Sequence, residues 1–94
     1  MAETTYRICA IEGDGIGHEV IPAALRVLRA TGVGATVTRA EAGWACFQET
    51  GTALPESTVE TAAASDAVLF GAVSSPSFKV EGYRSPIVAL RRRL

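Results

Sequence analysis

Residues 7–28 read RICAIEGDGIGHEVIPAALRVL. Ile8, Cys9, Ala10 and Ile11 form a nearly continuous apolar run. Such a run suits a strand covered on both faces, as in a parallel sheet. The turn EGDGIG (12–17) follows. Val20, Ile21, Ala24, Leu25 and Leu28 then recur at three and four residues, which marks one apolar face of a helix from Gly17 or His18 to Thr31. Pro22 is expected in the first turn of that helix, where its missing N–H costs little. Gly32 and Gly34 supply the stop.

The rest of the chain repeats the alternation. ATVTRAEA (35–42) is β-branched and reads as a strand. Residues 44–50 read as a short helix ending at Gly51, and Leu54-Pro55-Glu56-Ser57 opens another that runs to Ala64. DAVLFGA (66–72) is a second strand of the buried type. SSPSFKVEGYRSP (74–86) is a loop rich in Ser, Gly and Pro, and a last helix starts at Pro86 with Ser85 as its N-cap. The order of strand, helix, strand, helices, strand, loop and helix predicts an α/β fold with a sheet at least partly parallel. Ile87, Leu90 and Leu94 make an apolar stripe with no stop signal after it. That stripe predicts a chain that continues into a longer protein.

Composition narrows the function classes. The 94 residues are 48% apolar and 20% charged, which is globular and not disordered. No apolar run reaches the roughly 18 residues of a membrane span, and the opening residues lack a secretory signal region. Nine basic residues against ten acidic give a net charge of −1, so no strong field gathers nucleic acid or anionic lipid. Cys9 and Cys46 sit in apolar surroundings and read as reduced and buried, which implies a cytoplasmic protein.

Three constellations carry chemistry. Glu12 to Glu19 is a glycine turn whose backbone N–H groups and helix N-terminus favour an anion. Its glycines, at 13, 15 and 17, do not match the dinucleotide fingerprint G-x-G-x-x-G. It reads equally as a tight turn without a ligand, with Asp14 and Glu19 as cap and first-turn acids. His18 lacks a metal partner at ligand spacing. The loop Ser74–Ser85 leaves the C-terminal end of a strand, where open α/β sheets bind ligands; its Ser74, Ser75, Ser77, Lys79, Tyr83 and Arg84 could all hydrogen-bond an anionic ligand, and it also reads as an ordinary solvated loop. Arg91-Arg92-Arg93 is a solvated helix face unless one arginine works inward. Helical geometry favours Arg91, near Ile87 and Val88, with Arg92 and Arg93 turned away.

The stretches RICAIEGDGIGHEVIPAALRVL (7–28) and LFGAVSSPSFKVEGYRSPIVALRRRL (69–94) resemble the decarboxylating β-hydroxyacid dehydrogenases. That family includes isocitrate, 3-isopropylmalate, tartrate and homoisocitrate dehydrogenases. KVEGY followed by SPIVALR is closest in pattern to the homoisocitrate branch, which serves lysine formation through α-aminoadipate. The resemblance implies NAD-dependent oxidation and decarboxylation of a small tricarboxylate, homoisocitrate, to 2-oxoadipate, with Mg²⁺ or Mn²⁺ chelating the substrate. It places Ser75 on the distal carboxylate, Arg91 on the malate part and Val88 against the variable tail. Some homoisocitrate enzymes carry arginine at the position of Val88 and accept isocitrate more readily. Valine here would leave that charge unpaired and make isocitrate a poorer substrate.

The resemblance also places Ala72, Val73, Ser74 and Ser75, with Gly15 and Ile16 of the turn, along the NAD site. The catalytic acid–base pair and the metal ligands of the family come later than residue 94. Residues 1–94 then form the first segment of the large domain, without the second domain or the returning C-terminal segment, and this piece alone is expected to be inactive. The family's usual homodimer or tetramer is expected of the full-length enzyme. Two other readings stand beside this one: 3-isopropylmalate dehydrogenase of leucine formation, and a non-catalytic α/β interaction module. An arginine-rich nucleic-acid binder is disfavoured by the net charge.

Overall fold

The computed structural model describes residues 5–73 and 80–94. Strand β1 (Thr5–Gly13) lies at the centre of a three-stranded parallel sheet of order β2-β1-β3. β2 spans Gly34–Ala40 and β3 spans Ala67–Ala72. The β1–β2 ladder runs from Thr5 opposite Gly34 to Ile11 opposite Ala40, and the β1–β3 ladder from Ile8 opposite Ala67 to Gly13 opposite Ala72. Asp66 pins the start of the second ladder. Its backbone N–H donates to Arg7 O, and its Oδ2 accepts from Arg7 N, both at 2.7 Å.

Helix α1 (Gly17–Ala30) connects β1 to β2, and helices α2 (Trp44–Thr50) and α3 (Glu56–Ala63) connect β2 to β3. The first connection runs from the central strand out to β2, and the second returns from β2 across β1 to β3, in the opposite direction. Right-handed crossovers of that kind place their helices on opposite faces of the sheet. Side chains of β1 alternate accordingly. Cys9 and Ile11 pack with Ala42, Val59, Ala62 and Leu90, while Ala10 packs with Ile21 and Leu25 of α1. Both Cys9 and Ile11 are fully buried, so the apolar run of β1 is explained by cover on two sides. Burial of a side chain such as Ile11 contributes about 1.5–3 kcal/mol.

The last helix, α4 (Pro86–Arg93), contributes Leu90 to the core, whereas Leu94 is 61% exposed. Ser85 occupies the N-cap position as expected, but its side chain makes no capping bond. Pro22 differs from expectation. It lies inside α1, beyond the first turn, because the helical path is already set at Gly17. Gly17 N donates to Asp14 O at 2.9 Å, and His18 N donates to Gly15 O at 3.1 Å. The His18 carbonyl therefore receives no N–H from position 22. Val20, counted in the apolar stripe, is 46% exposed, and the buried line of α1 is Gly17, Ile21 and Leu25.

No helix among the described residues is long and apolar enough to cross a membrane. Cys9 and Cys46 are both free and buried.

Candidate functional site

The sheet order 2-1-3 sets the C-terminal ends of the parallel neighbours β1 and β3 side by side, at the point where the first crossover leaves β1. Open α/β sheets take ligands at such a point. Here it is formed by Gly13 to Ile16 after β1 and by Ala72 and Val73 after β3. The two loops are tied together, since Asp14 N donates to Ala72 O at 2.7 Å. Gly17 must be a glycine: a Cβ there would overlap Glu12 O and come within 3.0 Å of Ala72 N. The turn thus brings α1, β1 and β3 closer than any side chain allows.

Asp14 does not cap α1. Its buried carboxylate reaches the start of α2, where Oδ2 accepts from Trp44 N at 2.7 Å and Oδ1 from Ala45 N at 3.0 Å. The backbone of the turn already satisfies the first donors of α1, which frees the Asp14 side chain for the donors of another helix. Gly43, at φ 120°, precedes that helix, and a Cβ on it would run into the Asp14 carboxylate. The first-turn acid Glu19 is where it was expected.

Beside the turn, Glu12 gathers two partners. His18 Nδ1 lies 2.7 Å from Glu12 Oε1, and Arg39 Nη1 donates to Glu12 Oε2. The His18 hydrogen bond, then Arg39, holds the Glu12 carboxyl below its ordinary range despite some desolvation. These residues border a cleft of about 250 Å³ that also includes Glu41, Cys46 and Glu49. Burial pushes the Cys46 thiol up, as it does Cys9.

Two contacts bring α4 to this end of the sheet. Tyr83 packs edge-on against Trp44 and Phe47, with ring centroids 5.4 and 5.3 Å away. Arg93 forks the first residue of α3, its Nη2 2.6 Å from Glu56 Oε1 and its Nη1 3.1 Å from Oε2. Along α4 runs a groove of about 540 Å³, lined by Leu54, Arg84, Ser85, Val88, Arg92 and Arg93 among others. The expectation that Arg92 and Arg93 turn away is corrected here. Arg92 follows Val88 by one helical turn and shares its groove, and Arg93 is held by Glu56.

The sequence-derived site residues fall in three places. Gly15 and Ile16 are exposed on the turn, and Ala72 and Val73 are half-buried beside it. Val88, 46% exposed, and Arg91 lie on the surface of α4. Ser74 and Ser75 lie outside the described residues. Sequence reasoning missed the reach of Asp14 to α2 and the clasp of Glu12 on Arg39, and it named Arg84 as a candidate for an anionic ligand without foreseeing its place on the Val88 groove. The first two join residues 30 and 27 positions apart, a separation at which no local pattern operates. Among the described residues, no three His, Cys, Asp or Glu side chains are grouped so as to hold a metal ion.

Comparison with known proteins gives a consistent result. A family model described as isocitrate/isopropylmalate dehydrogenase matches residues 7–94. The chain is 60% identical over 89 residues to the isocitrate/homoisocitrate dehydrogenase of Thermus thermophilus, covering 95% of this chain and 27% of that protein. It is 53% identical over 75 residues to the 3-isopropylmalate/3-methylmalate dehydrogenase of Methanocaldococcus jannaschii, covering 80% of this chain and 22% of that protein. The crystal structure of a beta-decarboxylating dehydrogenase from Thermococcus kodakarensis superposes with a TM-score of 0.85 at 46% identity, over 94% of this chain and 26% of that one. The chain thus spans about a quarter of the length of the relatives it matches.

Proposed function

Since the chain belongs to the isocitrate/isopropylmalate dehydrogenase family, we propose that it is the first segment of the large domain of an NAD-dependent homoisocitrate dehydrogenase. Such an enzyme oxidises the 2-hydroxyl of homoisocitrate, passes the hydride to NAD, and loses carbon dioxide to give 2-oxoadipate. The observation that carries this reading is the likeness to an isocitrate/homoisocitrate dehydrogenase along nearly the whole chain, helix α4 included. The topology supports it. The adjoining C-terminal ends of β1 and β3 present Gly15, Ile16, Ala72 and Val73 where a dinucleotide is expected, with Ser74 and Ser75 next in sequence.

In this reading Arg91 forks the carboxylates of the malate part, Ser75 bonds the distal carboxylate, and Val88 faces the tail. The divalent cation that such enzymes use with NAD finds no ligand set among the described residues, and its ligands are assigned outside residues 1–94. The acid–base pair is likewise assigned outside residues 1–94, and the 94-residue piece alone is expected to be silent.

A second reading, 3-isopropylmalate dehydrogenase, is favoured by one feature: the methyl groups of Val88 suit an alkyl tail. The test is NADH formation by the native protein, at the length its own cells make it, with homoisocitrate, isocitrate and 3-isopropylmalate in the presence of Mg²⁺. The highest kcat/KM is expected on homoisocitrate. The highest value on 3-isopropylmalate would establish the second reading instead. A third reading, a self-contained interaction module, requires the isolated chain to unfold in one cooperative transition and the native protein to turn over none of the three acids.

A further inference from the structure

The groove along α4 holds more positive charge than a site for an alkyl tail needs. Val88 forms part of its wall, with Arg84 two residues before the helix and Arg92 one turn beyond Val88. Arg93, on the same wall, is engaged by Glu56. Arg84 and Arg92 are both exposed. No Asp or Glu lines this groove among the described residues. An apolar patch set between guanidinium groups matches a ligand with a short methylene stem ending in a carboxylate. The stem lies on the methyl groups, and the forked donors take the charge.

The geometry points to Arg84, seconded by Arg92, as the cation that pairs with the terminal carboxylate of the substrate tail over Val88. This inference rests on the proposed function, in which Val88 faces the tail. It supplies a partner for the charge that valine at position 88 leaves unpaired. The cation is supplied from the residue that leads into α4 and not from the helix position itself. The native protein should therefore favour tricarboxylates over alkyl-substituted malates in spite of its valine.

The experiment measures kcat/KM for homoisocitrate and for 3-isopropylmalate in the native protein and in the R84Q, R84K and R92Q variants. R84Q is expected to lower the homoisocitrate value at least about tenfold, the loss of a charge-assisted hydrogen bond, and to leave 3-isopropylmalate unchanged. R84K should recover part of the loss, since it keeps the charge but not the fork. R92Q should act in the same direction with a smaller effect. An R84Q variant whose ratio between the two substrates is unaltered, or which loses both equally, overturns the inference. A native protein with no activity on homoisocitrate overturns the functional reading, and this inference with it. That result is read before any variant is made, so the two failures are told apart. Arg84 is exposed, and the thermal transition of R84Q against R84K checks that folding is intact.

Discussion

Asp14 holds the first N–H of helix α2: its Oδ2 lies 2.7 Å from Trp44 N, across 30 residues of chain. The GDGIG turn is therefore a joint between β1, β3 and α2. Asp14→Ala should remove this cap and leave the Trp44 and Ala45 donors without their partner, at about 1–3 kcal/mol. Asp14→Asn retains an acceptor oxygen and should lose less. Urea unfolding midpoints measure both, and an Asp14→Ala protein as stable as the parent would refute the capping role.

Gly17→Ala tests the close approach at the same turn. Its Cβ would overlap the Glu12 carbonyl and press on the Ala72 backbone, neither of which has a flexible side chain to move aside. The expected loss is about 1–3 kcal/mol. It should appear as a lower thermal midpoint, and an unchanged midpoint would mean that the turn opens easily.

Acid should weaken the fold partly through Glu12. Its pKa is depressed by the His18 hydrogen bond and then by Arg39, so the folded state binds a proton less readily than the unfolded chain. The stabilisation is present above the unfolded value, about 4.3 for Glu, and is lost as pH falls through the lower folded value. Stability curves from neutral pH downward should show a steeper acid limb in the parent than in Glu12→Gln. Parallel curves would contradict this.

Arg91 and Val88 should separate in their effects on the native protein. Under the proposed function, Arg91→Gln removes contacts to the part that all these acids share. It should lower kcat/KM for homoisocitrate, isocitrate and 3-isopropylmalate alike, by about tenfold or more. Val88→Arg changes only the groove beside the tail and should shift preference toward isocitrate. A selective effect of Arg91→Gln, or a uniform one of Val88→Arg, would exchange the assigned roles.

Neither cysteine should behave as a redox centre. Cys9 is fully buried, Cys46 is 6% exposed, and burial pushes both thiols up. Thiolate is then scarce at neutral pH. A chromogenic disulfide reagent should label both thiols only on unfolding. Fast labelling of the native protein would show an opening at Cys46 or Cys9.

Elements whose signals are local were legible in the residues themselves. The continuous apolar run of β1 predicted cover on both faces, and Gly51 marked the end of α2, which it closes at φ 85° with its N–H on Phe47 O. The stripe of α1 was found through Ile21 and Leu25, while Pro22 was misplaced, because the turn residues start the helix earlier than proline statistics suggest. The family was legible through motif identity and not through a spacing rule, since the glycines of residues 13–17 fit no general dinucleotide fingerprint.

Sequence alone determined the α/β alternation, the buried cysteines and the family, because hydrophobic period, turn residues and motif identity are properties of neighbouring positions. The tertiary structure alone decided the strand order 2-1-3, the reach of Asp14 to Trp44, the clasp of Arg39 on Glu12 and the presence of Arg84 on the Val88 groove. Those relationships join positions far apart in the chain or set by a loop. They exist only once the sheet has brought the ends of β1, β2 and β3 to one side, and the energy of a hydrogen bond depends on that distance and not on separation in sequence.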